Sequence, residues 1–170
     1  GAPDWATLLD MDALEAAEGR NLQFAGASCL APEYRRCLLR LSVGGMDAVE
    51  IREFDLETRR FVDVAAGGFL LPQAKQSASW LDSDRLLVAT AAGPVTKSGY
   101  AREVRLWRRD TPFADADLLL SIPEEQLAAE AAVFGHGEGA RAVLVAAESF
   151  WTTRILHLQA DGRLLASPLP

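Results

Sequence analysis

The spacing of apolar residues changes near Asn21. Before it, Pro3 to Glu18 predict a short helical lead-in. Leu8, Leu9, Met11 and Leu14 supply its apolar contacts, Asp12 caps it with Glu15 three residues on, and Gly19 ends it. Such a helix is too short to stand alone and must dock on something. After Asn21 the helical period is gone. Phe24 to Leu30, Arg36 to Ser42 and Asp47 to Phe54 read as strands, and Arg60 to Asp63 as the start of a fourth. Turns fall at Ala31 to Tyr34, Val43 to Gly45 and Asp55 to Thr58. In the third strand Val49, Ile51 and, after a slip, Phe54 point one way while Glu50 and Arg52 point the other, so one face is expected to be solvated.

The pattern then recurs twice. Gln76 to Leu81, Arg85 to Thr90, Glu103 to Arg108 and Ala116 to Ile122 form a second set. Glu130 to Phe134, Arg141 to Ala147, Thr153 to Gln159 and Arg163 to Ser167 form a third. The second strands superimpose: each begins with an arginine after a turn (Arg36, Arg85, Arg141) and continues mostly apolar, with starts 49 and 56 positions apart. Four strands per unit of about 50 residues is the signature of propeller blades. The expected fold is all-β: about three four-stranded antiparallel blades of a partial β-propeller behind a short N-terminal helix. Residues 1–20 form the helical lead-in and 21–170 the propeller, with blades at about 21–72, 73–127 and 128–170. Inner strands covered on both faces account for the continuous apolar runs Leu86 to Val88 and Ala142 to Val145.

Closed propellers have about 4–8 blades, so three leave an open arc with an uncovered sheet face at each end. Such a chain is a piece of a larger protein, a dimer through its open blade faces, or a capped arc. The N-terminal helix is the candidate cap for one end, whereas the joint Ile122 to Leu127 is too short to cover a face.

Composition narrows the partners. The chain has 170 residues, 49% hydrophobic and 24% charged, which suits one globular domain, and its formal net charge is -7. An acidic chain without a cluster of Lys and Arg repels phosphate, so nucleic acid is not an expected partner. No apolar run is long enough to span a bilayer, so no membrane partner is expected, and no basic-then-apolar signal opens the chain. A start at Gly1 rather than Met is the expected mark of a trimmed tag or an internal piece. Cys29 and Cys37 lie on neighbouring strands and could face each other. Two small, buried, reduced side chains are expected, and they lack the spacing of a zinc site.

No catalytic, cofactor-binding or metal-binding residue is expected in the chain. Gly26-Ala-Ser28 begins like a nucleophile elbow but lacks the final glycine and sits in a strand. His136 lies in a Gly-rich turn and His157 in mid-strand, without the clustered carboxylates of a metal site. Asp82 and Asp84 are expected to accept backbone N–H bonds in a hairpin turn. Glu50 to Glu53 and Arg108 to Asp110 read as charge runs on solvated faces, and Trp80, Trp107 and Trp151 as core or inter-blade packing.

A set of ordered stretches carries a family resemblance. They include Tyr34-Arg-Arg-Cys-Leu38, Ser42-Val-Gly-Gly45, Arg52-Glu-Phe-Asp55, Gly68-Phe-Leu-Leu-Pro72, Trp80-Leu-Asp82, Leu86-Leu-Val88, Ser98-Gly-Tyr100, Leu106-Trp107 and Thr111-Pro112. In order and spacing they resemble the N-terminal propeller region of the prolyl oligopeptidase family of serine peptidases, in particular its bacterial branch, from about Trp5 to Ala116. Beyond Asp117 the likeness is to blade architecture alone. The sequence departs from the family at Asp63 to Gly67, where the family is shorter and more acidic, and at Ala91 to Thr96, where an acidic and an aromatic residue are missing. The resemblance implies a gating propeller set over an α/β-hydrolase catalytic domain of the same parent protein, admitting only short peptides. It implies no catalytic residue in this chain.

Overall fold

The computed structural model describes residues 5–167 and holds three antiparallel sheets behind one helix, α1 (Met11–Glu18). The first sheet contains β1 (Leu22–Cys29), β2 (Arg36–Val43), β3 (Val49–Asp55), β4 (Arg60–Phe61) and β5 (Leu70–Ala74). The second contains β6 (Gln76–Asp82), β7 (Arg85–Thr90), β8 (Glu103–Arg108) and β9 (Asp117–Ser121), and the third β10 (Ala128–Phe134), β11 (Arg141–Ala147), β12 (Thr153–Leu158) and β13 (Leu164–Ala166). In the second and third sheets sequential strands pair in a meander, and in the first β1 to β4 do so while β5 adds to β3, so each sheet is one blade. The three repeated arginines do begin the second strands β2, β7 and β11.

Two apolar layers bind the blades into an arc. Leu38, Val49, Ile51, Phe69 and Leu71 of the first blade pack on Trp80, Leu86, Val88 and Trp107 of the second. Ala89, Val104 and Leu120 of the second pack on Ala129, Leu144, Ala146 and Leu156 of the third. Alternation along β7 divides its side chains between the two layers: Leu86 and Val88 face the first blade, Leu87 and Ala89 the third. An inner strand covered on both sides needs no polar face, which is why Leu86 to Val88 is continuously apolar. The tryptophans keep their polar ends satisfied. Trp80 Nε1 donates to the Ser28 carbonyl at 3.0 Å and Trp107 Nε1 to the Thr111 carbonyl at 2.8 Å.

The fourth position of the first blade is divided. The expected strand at Arg60 to Asp63 is only β4, and β5 continues the edge, so both pair with β3. Between them Val64–Ala66 make a single 3-10 turn, capped by Asp63 Oδ1 accepting from the Ala65 N–H at 2.8 Å. The chain re-enters the sheet at Gly68, where a Cβ would lie 2.2 Å from the Val62 carbonyl oxygen, so only glycine fits.

Several expectations need correction. The helix starts at Met11, capped by Asp10 Oδ1 accepting from the Ala13 N–H at 3.0 Å; Asp12 lies inside it, and Glu15 accepts from the Leu22 N–H instead. Pro3 and Asp4 lie outside the described residues. There is no slip in β3. Phe54 joins Glu50 and Arg52 on the outer face, and Glu53 joins Val49 and Ile51 on the inner one. Cys29 and Cys37 are a disulfide, not reduced thiols: register places them directly opposite, with Cα atoms 3.9 Å apart. The run Ala142 to Val145 is covered on one face only, since Val143 and Val145 are half-exposed on the free face of the third blade.

Candidate functional site

The charge run Glu50 to Glu53, expected on a solvated face, is instead a structural junction, as is Arg109, whereas Arg108 and Asp110 are exposed as expected. Glu53 has 0% exposure and carries a carboxylate between the first two blades. Arg109, from the turn after β8, donates to it through Nη1 at 2.9 Å and Nη2 at 3.2 Å. Arg36 donates at 2.9 Å and the Phe69 N–H at 3.0 Å. Arg109 also donates to the Gly67 carbonyl at 2.7 Å and stacks 4.4 Å from the Phe69 ring centroid. A fully desolvated carboxylate is tolerated only when paired and hydrogen-bonded on this scale. The missed signal was Arg36 at the start of β2 and Arg109, two residues after Trp107: two cations aimed at one acid in an otherwise apolar layer.

On the outer face of the first blade four charges close a ring. Glu18 accepts from Arg52 at 2.5 and 2.8 Å and from Arg20 at 2.5 Å; Glu50 accepts from Arg20 at 2.9 Å and from Arg52. The hydrogen bonds from Arg52 hold the Glu18 carboxyl well below its ordinary range, at about 2. Asp55, at the end of β3, is likewise held at about 2, first by the Arg35 guanidinium and further by the Thr58 and Glu57 N–H groups of the turn it caps.

The two edges of the arc differ. At one edge the second strand of each blade leads to the third, and each of these connections exposes large apolar side chains: Met46 in the first blade, Val95 and Tyr100 in the second, Phe150 and Trp151 in the third. Phe150 is 85% and Trp151 96% exposed, so the expectation that Trp151 packs in the core is wrong. The turn between β11 and β12 carries both rings clear of the other described residues. An aromatic pair inside a polar turn, Ser149-Phe-Trp-Thr152, was the legible sign.

At the opposite edge first strands turn into second strands, and the large apolar side chains exposed there are Tyr34 and Phe134, the latter at the end of β10. Here a cavity of about 1100 Å³ is lined by Ser28, Trp80, Leu106, Val133, His136 and His157, among others. Ser28 sits within β1, paired with Leu38 of β2, and not on a strand-to-helix turn. Asp82 accepts from the Asp84 N–H at 3.0 Å and from Arg85, the hairpin role expected of it. Among the described residues no group of three or more His, Cys, Asp and Glu is placed to hold a metal ion.

Three meandering four-position sheets, packed face to face about a common line, define a partial β-propeller. Its fold is that of the N-terminal propeller region of the prolyl oligopeptidases. A post-proline cleaving enzyme from Rickettsia typhi matches 99% of this chain and 26% of its own at a TM-score of 0.89 and 23% identity. A prolyl endopeptidase structure matches 95% of this chain and 22% of its own at 0.63 and 17% identity. In sequence the chain is 39% identical over 141 residues to an uncharacterized peptidase of Sinorhizobium fredii, covering 82% of this chain. No family model matches. The chain spans about a fifth of the length of the curated relatives it matches.

Proposed function

We propose that this chain is the substrate-gating propeller portion of a prolyl-oligopeptidase-like serine peptidase and performs no bond cleavage itself. The observation that carries the reading is agreement along the whole arc: all three blades superimpose on one family's propeller, and ordered sequence likeness to a peptidase runs over 141 residues. The apolar edge formed by Met46, Val95, Tyr100, Phe150 and Trp151 is the surface offered to the α/β-hydrolase domain of the parent protein. Exposed aromatic residues on a folded scaffold favour a protein partner over solvent. Short peptides are the substrates that would pass such a gate. The test is direct. Purified chain treated with a serine-directed fluorophosphonate takes no label and leaves a prolyl chromogenic peptide intact; labelling or cleavage overturns the non-catalytic reading.

A second reading rests on the free face of the third blade, where Val143, Val145 and Ile155 are half-exposed beside exposed Phe134 and Leu165. It treats the chain as an interaction module that pairs with itself through that face. Light scattering over a wide concentration range tests this: a concentration-dependent dimer supports it, and a monomer throughout removes it.

A further inference from the structure

The chain carries 24 Asp and Glu against 17 Lys and Arg, so its cations have no shortage of acids. Most arginines of the first two sheets use them: Arg36 and Arg109 bind Glu53, Arg52 binds Glu18, and Arg105 binds Glu103. Arg40 and Lys75 do not. Among the described residues neither makes an ion pair with a carboxylate, and both are exposed. Both belong to the inner side of the arc. The first strands β1, β6 and β10 form that side: each pairs with one strand only, Trp80 joins β6 to β1, and Ser79 Oγ donates to the Ala131 carbonyl of β10 at 3.4 Å.

The backbone makes room for Arg40. In β2 it follows Leu38 by two residues and stands opposite Ile51, and both of these lie in the layer between the first two blades. Its side chain therefore starts on that face. It leaves the layer across β1 at Gly26, where a Cβ would collide with Arg40 Nη2. Gly26 has φ +130 and sits where the β1–β2 register shifts, between Phe24 and Gly26. A kink, a positive φ and a missing side chain clear one path, and the Arg40 guanidinium occupies it. Lys75 stands at the upper end of β6, its carbonyl accepting from the Ala91 N–H at 2.9 Å. Its Nζ lies 5.1 Å from the Tyr100 ring centroid, so the cation rests on an aromatic face of the apolar edge rather than on an acid. The exposed acids nearby do not neutralise the pair. Asp47, in the turn between β2 and β3, bonds to neither, and Glu130 of β10 stands opposite Val145 on the free face of the third blade.

We propose that Arg40 and Lys75 form a carboxylate-recognition site on the inner side of the propeller, which selects short peptides that carry an acidic side chain or a free C-terminus. That the ligand is a peptide rests on the function proposed above; the preference for a carboxylate rests on the two cations. A guanidinium offers a planar fork of N–H donors that matches a carboxylate, and an ammonium adds a point charge beside it. The inner strands around them are small and neutral at Gly26, Ala27, Ser77 and Ser79, so nothing in the wall offsets the charge. A concave surface lined by one sign of charge concentrates ligands of the other sign, even on a chain whose net charge is -7.

Peptide titration of the whole chain, followed by NMR amide shifts, tests the site. An acetylated Ala-Ala-Pro-Ala-Ala peptide is added in three forms: amidated and neutral, with a free C-terminus, and amidated with glutamate in place of the first alanine. At least one charged form should bind about fivefold more tightly than the neutral form, as an exposed ion pair allows, with shifts at Gly26 and Ala91. The form that does so tells a free end from an acidic side chain. The preference should vanish in an R40Q/K75Q variant and shrink with added salt. Equal affinity for all three forms, binding of none, or a preference that survives in R40Q/K75Q overturns the proposal. If that variant does not fold, K75Q alone decides: the preference should fall about twofold at this exposed position, and an unchanged preference overturns the proposal. None of these outcomes alters fluorophosphonate labelling or prolyl-peptide cleavage, so failure of the site and failure of the gating reading are separately visible.

Discussion

Arg109 and Glu53 form a paired hydrogen bond across the first inter-blade layer, at 2.9 and 3.2 Å, linking positions 56 residues apart. Removing one partner of a buried pair leaves a desolvated charge, at a cost of about 3–5 kcal/mol. Arg36 and the Phe69 N–H remain on Glu53, so Arg109→Ala should fall near the low end, about 3 kcal/mol. Arg108→Ala, whose partner Asp117 is half-exposed, should change stability by less than about 1 kcal/mol. Urea denaturation of the two variants checks the contrast; equal midpoints would show that the junction does not hold the blades together.

Acid should weaken the chain in a defined window. Glu18 and Asp55 have folded pKa values lowered to about 2 from ordinary values of 4.5 and 3.8. A depressed folded pKa contributes stability that is complete above the unfolded value and disappears as pH falls through the folded one. Thermal midpoints should therefore hold down to about pH 5 and decline between there and about pH 2. The E18Q variant should show a shallower decline than the unaltered chain; identical pH profiles would contradict the assignment of Glu18.

Opening the disulfide should cost little. Cys29 and Cys37 close a short loop already held by paired strands, and the Leu30 N–H donates to the Arg36 carbonyl at 2.8 Å just beyond them. The C29S/C37S variant should lose about 2 kcal/mol, at the lower end of the usual disulfide contribution. Its urea midpoint, compared with that of the oxidised chain, gives the value directly.

Adjacent residues of β11 should respond oppositely to substitution. Leu144 has no exposure and packs on the second blade, so Leu144→Ala should cost about 2–5 kcal/mol. Val145 is half-exposed on the free face, and Val145→Thr should cost less than about 1 kcal/mol. Trp151→Ser, at a fully exposed loop tip, should be neutral within about 0.5 kcal/mol. Calorimetric melts of the three variants test which surfaces the isolated arc uses.

The strand order, the three-unit repeat and the apolar runs of β7 were legible because each residue there obeys the period of its own strand. What failed depended on neighbours the period does not encode. Glu53 looked like a solvated acid because its partners are 17 residues earlier and 56 later. Phe54 looked slipped because Arg52 and Glu50, its face-mates, are polar yet held in the charge ring that Glu18 of α1 closes. Trp151 looked like core because a large aromatic usually is, and only the finished sheets reveal that its loop carries it clear of them. β5 was hidden by Pro72 and by the excursion at Val64–Ala66 that separates it from β4. The apolar edge was present in the sequence as Met46, Tyr100, Phe150 and Trp151, but its meaning required the three connections to fall on one side.

The most direct test of the gating account is to read the coding frame downstream of Pro170. The account predicts further units of about 50 residues, then a G-x-S-x-G elbow with a later aspartate and histidine. A stop codon immediately after Pro170 would contradict it, and the function of the chain would then have to be sought in its exposed faces alone.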